Sequence, residues 1–382
     1  MEIARPDLVR LTAGKAVANT ALRWLPFFLP TLAVAFDAST STLSLLLGVA
    51  EACGLTTLIA GRWLDKGRER FVIMIALGAV ATASVIALHG SIWAFAATAG
   101  LLGGASGYVA VGGHAWISAR VPFDRRARFI GIYEMSWATA LLIGAPFVAL
   151  LISVFGWRAP FLAMATAALG AILLVGSIND GEVLDPTPAC AQVSTRITVD
   201  AWIVIAASAA IAMAGLTTIV VAGTWLDDAL GVSTGGVGLV AMAFGLAELA
   251  ASSGSATFAD RLGKQRTTRA SIALILVGLT VISLAGSSLL VGAGGLLIFF
   301  IAFEYSIVTS FSLVSEAMPN ARGRTLGISS ALGTLSRGTG VVAAGFLYEH
   351  YGIRGPASLS ACAAVVAIAL LTLRGSEPSQ AL

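Results

Sequence analysis

The 382-residue chain is 57% hydrophobic and 11% charged, with a mean hydropathy of +0.91, and so lacks the polar surface that a water-soluble fold needs. Its net charge of +3 gives no reason to expect a nucleic-acid partner. Cys53, Cys190 and Cys362 are odd in number, scattered and without metal-ligand spacing, so they suggest neither a disulfide frame nor a metal site.

A spanning helix takes ~20 apolar residues, so a dozen take ~240 and leave short loops, two brief tails and no separate soluble domain. The apolar runs predict spans at 10–36, 41–60, 71–90, 92–119, 129–154 and 159–177, then 201–225, 236–257, 270–288, 291–315, 325–348 and 356–373. The expectation is an all-α integral membrane protein: twelve transmembrane helices in two six-helix bundles, 1–177 and 201–382, joined by a cytoplasmic linker over 178–200. The apolar run after MEIARPDLVR is too long for a signal peptide and counts as span 1.

Span 1 carries Lys15, Asn19 and Arg23 at intervals of four, stacked on one face. Lys15 is near enough to the cytoplasmic end to snorkel toward water. Arg23 lies mid-span, where a guanidinium costs at least ~2.5–3.5 kcal/mol and needs a carboxylate, a carbonyl or water. Pro26 and Pro30 should bend the rest of the span. Halfway along span 2, Glu51 either pairs with a cation, Arg23 being the candidate, or holds a proton. In span 4, Gly100, Gly103, Gly104 and Gly107 form small-xxx-small patterns that suit close helix packing. Tyr108 and His114 follow at membrane depth, and His114 is either a titrating group or a hydrogen-bonded packing residue.

Glu134, Trp137 and Leu141 share a face of span 5, and Gly144-Ala145-Pro146 makes a bend, read either as a gate or as a packing kink. In the second half, Asp227 and Asp228 fall in a solvated loop, Glu248 lies in span 8 and Glu304 in span 10. Ser330, Thr334 and Arg337 form a polar stripe on span 11. Such a stripe cannot face lipid, so it lines another helix or an aqueous path.

The loops after spans 2, 4, 8 and 10 hold 14 Lys and Arg residues, against Arg158 and Arg354 alone on the other face. The positive-inside rule then puts those loops and both termini in the cytoplasm. Landmarks also recur at a nearly constant offset. Asp65 and Asp260 are 195 residues apart, Pro122 and Pro319 197, and Gly156-Trp157-Arg158-Ala159-Pro160 and Gly352-Ile353-Arg354-Gly355-Pro356 196. Two related membrane halves are the pattern of a secondary transporter.

Gly61-Arg62-Trp63-Leu64-Asp65-Lys66-Gly67-Arg68 resembles the loop signature after span 2 in the major facilitator superfamily, and the second copy keeps Asp260-Arg261-Leu262-Gly263-Lys264 with Ala256 in place of the leading glycine. Gly156-Trp157-Arg158-Ala159-Pro160-Phe161 is similar to the turn after span 5 in bacterial drug-export-like members. The resemblance covers essentially the whole chain. It implies that Asp65 faces the start of span 11 near Gly323 to Gly327, with Arg120 or Arg128 beside it. The implied gate is Gly61, Asp65, Lys66, Arg68, Arg120 and Arg128, answered by Asp260, Arg261, Lys264 and Arg324. An aspartate among arginines at a helix N-terminus forms a charge cluster that can break and re-form as one side opens. In two places the chain departs from the exporters: span 5 keeps only Gly144-Ala145-Pro146 of their glycine-rich stretch, and Ala97-Thr98-Ala99-Gly100 stands where proton-driven members carry an arginine.

The expectation is a secondary active transporter in the cytoplasmic (inner) cell membrane, monomeric, rocking about a midplane cavity. That cavity is lined by Asn19, Arg23, Glu51, Tyr108, His114, Glu134, Trp137, Glu304 and Arg337. Glu51, Glu134 and Glu304 are the candidate proton carriers, because a carboxyl kept from water takes up a proton more readily. A proton or ion gradient would be the energy source, with no cofactor, and a small molecule the cargo, moved outward by proton-coupled efflux. The alternatives are an uptake permease for an anionic or zwitterionic metabolite, favoured by Arg23 and Arg337, and a non-transporting receptor of the same fold. No Ser/His/Asp arrangement, phosphate-binding glycine loop or HExxH supports an enzyme.

Overall fold

The computed structural model describes residues 5–64, 66–178, 196–318 and 321–374. Among these residues there is no strand, and ten helical stretches are long and apolar enough to cross a membrane. In chain order the helices are α1 (Arg5–Arg23), α2 (Leu29–Phe36), α3 (Thr40–Cys53), α4 (Gly61–Leu64), α5 (Glu69–Ala87), α6 (Ile92–Arg120), α7 (Phe123–Thr139) and α8 (Ala145–Phe155). They continue as α9 (Arg158–Gly176), α10 (Val199–Asp228), α11 (Thr234–Leu262), α12 (Lys264–Leu284), α13 (Leu289–Ala317), α14 (Arg322–Tyr351) and α15 (Arg354–Leu373).

Most boundaries lie outside the apolar runs, because hydropathy registers only the lipid-matched part of a helix and the polar turns at either end stay helical. Span 12 becomes Arg354–Leu373, and span 7 extends to Asp228, so Asp227 and Asp228 end a helix rather than occupy a loop. The internal departures have local causes. Span 1 is broken at Trp24–Phe28 rather than merely bent: Pro26 has no N–H to continue the ladder, and Pro30 opens α2 near its N-terminus, where the missing donor is harmless. Span 2 tightens into a 3-10 segment, Gly54–Ile59, where the Thr56 and Thr57 hydroxyls bond the carbonyls of Cys53 and Gly54 at 2.6 and 2.7 Å. Span 5 is interrupted by a π turn, Ala140–Gly144, directly ahead of Pro146. The wider turn takes up the register lost where Pro146 cannot donate.

Contacts gather the described chain into two compact units. The first takes Met1–Ser39, Val49–Gln192 and Thr234–Gly245; the second takes Thr40–Gly48, Val193–Ser233 and Leu246–Leu382. In the first unit α1 packs on α6, α7 and α9, while α5 packs on α6 and α9. An aromatic knot of Trp24, Phe36, Phe95, Trp157 and Phe161 closes one end, with ring centroids as near as 5.0 Å for Phe36 and Phe95 and 5.1 Å for Trp24 and Phe161. In the second unit α10 is the buried centre, covered by α13, α14 and α15.

The duplication extends to the backbone. Gly67, Gly90 and Gly156 have φ of +66, +74 and +78°, and the residues 196 positions later, Gly263, Gly286 and Gly352, have +87, +56 and +57°. Asp37 at +48° is answered 194 positions on by Gly231 at +64°. Every positive-φ residue among those described therefore has a partner in the other half.

A buried polar cluster as candidate functional site

The stacked side chains of α1 form the site. A face carrying Lys15, Asn19 and Arg23 cannot be left against apolar neighbours, and α7 covers it with polar partners at successive heights. Lys15 Nζ donates to Glu134 Oε1, with no part of the lysine side chain exposed (0%). The same ammonium lies 4.3 Å above the centre of the Tyr133 ring. One turn on, Asn19 donates to Ser136 Oγ at 3.1 Å and accepts from Ser106 Oγ at 3.4 Å. Arg23 donates to the Trp137 carbonyl at 2.6 Å and stacks 4.9 Å over its ring.

Helix α6 supplies the third wall. His114 Nε2 is 2.6 Å from the same Glu134 oxygen that receives Lys15, and its ring meets that of Tyr133 edge-on at 5.7 Å. Tyr133 lies this close because position 113 is glycine: a Cβ there would fall 2.2 Å from the tyrosine hydroxyl oxygen. That hydroxyl donates to the Val109 carbonyl at 2.6 Å, fixing the ring on which Lys15 rests. The enclosed ammonium is thus matched by one carboxylate, as buried charge requires.

Of the cavity residues expected from sequence, this cluster unites Asn19, Arg23, His114, Glu134 and Trp137. Glu51 is half-buried on α3, and Tyr108 donates to the Thr56 carbonyl at 2.8 Å. Glu304 is half-buried on α13 of the second unit, where Arg337 on α14 donates to Thr334 Oγ1 at 3.0 Å. Lys15 reverses its expected role, being sealed and paired instead of snorkelling. Tyr133, Ser106 and Ser136 also join the site, though as common residues of apolar helices they carry no signal in the sequence. Among the described residues no cluster of three or more His, Cys, Asp or Glu side chains could hold a metal ion.

Charges also mark the helix ends. Arg120, itself buried, is 3.7 Å from Glu69 Oε2 and stacks 4.9 Å over the Trp116 ring. In the second unit Lys264 pairs with Glu316. Lys66, Arg68, Arg128, Arg261 and Arg324 are exposed, and Gly61 opens α4. Asp65 lies outside the described residues, as does the side chain of Asp260 in the last turns of α11, so the expected placing of Asp65 against Gly323 to Gly327 falls there too.

The profile described as Major Facilitator Superfamily matches residues 11–195 and 204–381. The chain is 25% identical over 376 residues to the uncharacterized MFS-type transporter YwfA of Bacillus subtilis (strain 168), covering 94% of this chain and 89% of that one. It also resembles the crystal structure of a D-xylose-proton symporter with a TM-score of 0.80 at 18% identity, covering 97% of each chain. An inward-facing bacterial homologue of the iron transporter ferroportin superimposes with a TM-score of 0.76 at 15% identity, covering 99% of this chain and 100% of that one.

Proposed function

The chain belongs to the Major Facilitator Superfamily of membrane transporters, and from that premise we propose a proton-coupled secondary active transporter that expels a small molecule by alternating access. Its setting is the cytoplasmic membrane, which it crosses twelve times as a monomer of two six-helix bundles, 1–177 and 201–382, with both termini and the Lys/Arg-rich loops inside. The observation that carries this reading is the Lys15–Glu134–His114 cluster, in which one carboxylate oxygen within an apolar helical unit serves both an ammonium and an imidazole. Ionisable groups at such a depth are costly, and linking a proton to a conformational cycle is what they can do there. Resemblance to the turn of drug-export-like members at Gly156 to Phe161 favours the outward direction.

Uptake of a small anionic or zwitterionic metabolite is the competing reading. Arg23 favours it, since a guanidinium stacked on Trp137 can receive a carboxylate or phosphate, and one structural neighbour is a symporter. A thermal-shift screen of candidate substrates at two pH values identifies the cargo through mass-action stabilisation. Proteoliposomes then decide coupling and direction: flux of that cargo should follow an imposed pH gradient and collapse when a protonophore is added. Flux indifferent to the gradient would remove the coupling. In the same vesicles Asp65→Asn should slow turnover without lowering the melting temperature, and unchanged turnover would take the gating role from Asp65.

A further inference from the structure

Glu134 is the obvious proton acceptor of the cluster, but the geometry points elsewhere. The Lys15 ammonium is closed off from solvent between Glu134 Oε1 and the Tyr133 ring, and that ring is pinned through its hydroxyl to Val109. A proton placed on Glu134 would leave this enclosed cation without its counter-charge, the costly outcome for a buried pair. His114 stands differently. Its side chain is 41% exposed, close to the 37% of Glu134, but it has no enclosed cation to balance; Nε2 sits 2.6 Å from a carboxylate oxygen, so that nitrogen carries the hydrogen and Nδ1 is left to gain or lose one.

We infer that His114 is the proton-binding group of the first unit, with Glu134 kept ionised by Lys15 so that it can stabilise the imidazolium. Lys15 and Glu134 cancel, hence each proton taken up changes the cluster from neutral to a single positive charge. The groups facing His114 are Lys15 from α1 and Tyr133 and Glu134 from α7. The charged residues of α5 are Glu69, engaged with Arg120 about 9 Å further along α6 at 1.5 Å per residue, and Arg70, which donates to the Ile178 carbonyl. The 3-10 segment beside α6 contributes Thr56 and Thr57, which do not titrate. The inference depends on the transporter reading only for the use made of the proton; the protonation can be tested without any cargo.

The chain has three histidines, His89, His114 and His350, so 15N-histidine labelling of the whole protein in nanodiscs gives a countable spectrum. On acidification one ring should gain a proton, a change that survives His89→Gln and His350→Gln and vanishes in His114→Gln. Glu134→Gln, which removes the carboxylate beside Nε2, should abolish that change. A His114 ring that keeps one neutral form throughout overturns the inference, as does a carboxylic-acid infrared band that appears on acidification and is lost in Glu134→Gln. Should Glu134→Gln fail to fold, the spectra of the unaltered protein and of His114→Gln still decide. Gradient-driven flux with a silent His114 would retain the transporter and discard this site; a titrating His114 in a protein that carries nothing would do the reverse.

Discussion

At the residue scale, the fate of Lys15 shows what a linear sequence can and cannot disclose. Its alignment with Asn19 and Arg23 is legible from spacing alone, but α1 starts at Arg5, within a polar stretch that hydropathy ignores. Lys15 is therefore mid-helix, and its carboxylate partner is 119 residues away on α7. Pairing then sets the energetics. Glu134→Gln leaves a buried ammonium without its carboxylate, and because Glu134 is itself 37% exposed the loss should fall below the ~3–5 kcal/mol of a fully buried pair. Replacing both partners, Lys15→Met with Glu134→Leu, removes the charge altogether and should restore most of the melting temperature that the single change loses. Detergent-solubilised melts compare the two directly. If the double variant is no more stable than the single, Lys15 is not charged in the folded protein.

At the scale of elements, the glycines of α6 suit close helix packing, and their surroundings differ enough to rank them. A Cβ on Gly103 would lie 2.1 Å from the Ala50 carbonyl oxygen of α3, and backbone cannot step aside; on Gly107 it would meet the Thr57 methyl at 2.7 Å; on Gly100 it would touch Cys53 Sγ at an ordinary 3.5 Å. Alanine at 103 should therefore cost the ~1–3 kcal/mol typical of overpacking, alanine at 107 less, and alanine at 100 almost nothing. Melting curves of the three variants test that order, and equal losses would mean that α3 and α6 are not this close. The bend at Gly144 to Pro146 was equally legible, whereas its realisation as a π turn was not. The turn follows from tertiary fit as well as from proline, since a Cβ on Gly144 would come within 2.6 Å of the Thr20 side chain.

At the scale of the whole molecule, the repeat that the sequence marks at Arg158 and Arg354 extends to the contacts those residues make. Arg158 donates to the Leu88 carbonyl at 3.4 Å and Arg354, 196 positions later, to the Ser283 carbonyl at 3.2 Å, so each half ties the start of one helix to the end of another in the same way. The paired positive-φ sites expose one imperfect copy: Asp37 occupies a left-handed cap where its counterpart is Gly231. Asp37→Gly relieves that strain and should stabilise by about 0.5–1 kcal/mol, while Gly231→Asp should cost a similar amount. A melting temperature lowered by Asp37→Gly would mean that the aspartate side chain contributes more than the backbone strain costs.

The sharpest contrast between the halves is electrostatic. Glu69 and Arg120 join the start of α5 to the end of α6; Lys264 and Glu316, displaced by 195 and 196 positions, join the start of α12 to the end of α13 with the charges exchanged. Each half has an ion pair and the two have opposite polarity, so what the halves share is attraction between two helix ends and not the sign at either. The two pairs differ in burial. The side chains of Glu69 and Arg120 are each 6% exposed, whereas that of Glu316 is 47% exposed. Exposed pairs contribute about 0–1 kcal/mol, and a buried arginine stripped of its carboxylate costs several times that. Glu69→Gln should therefore lower the melting temperature at least twice as far as Glu316→Gln. Exchanging the first pair, Glu69→Lys with Arg120→Glu, should recover most of what either substitution loses alone, because it installs the polarity that the second half already uses. If the exchanged protein melts no higher than its single variants, the Glu69–Arg120 contact depends on the exact groups present, among them the stacking of Arg120 on Trp116, and the two pairs are not equivalent.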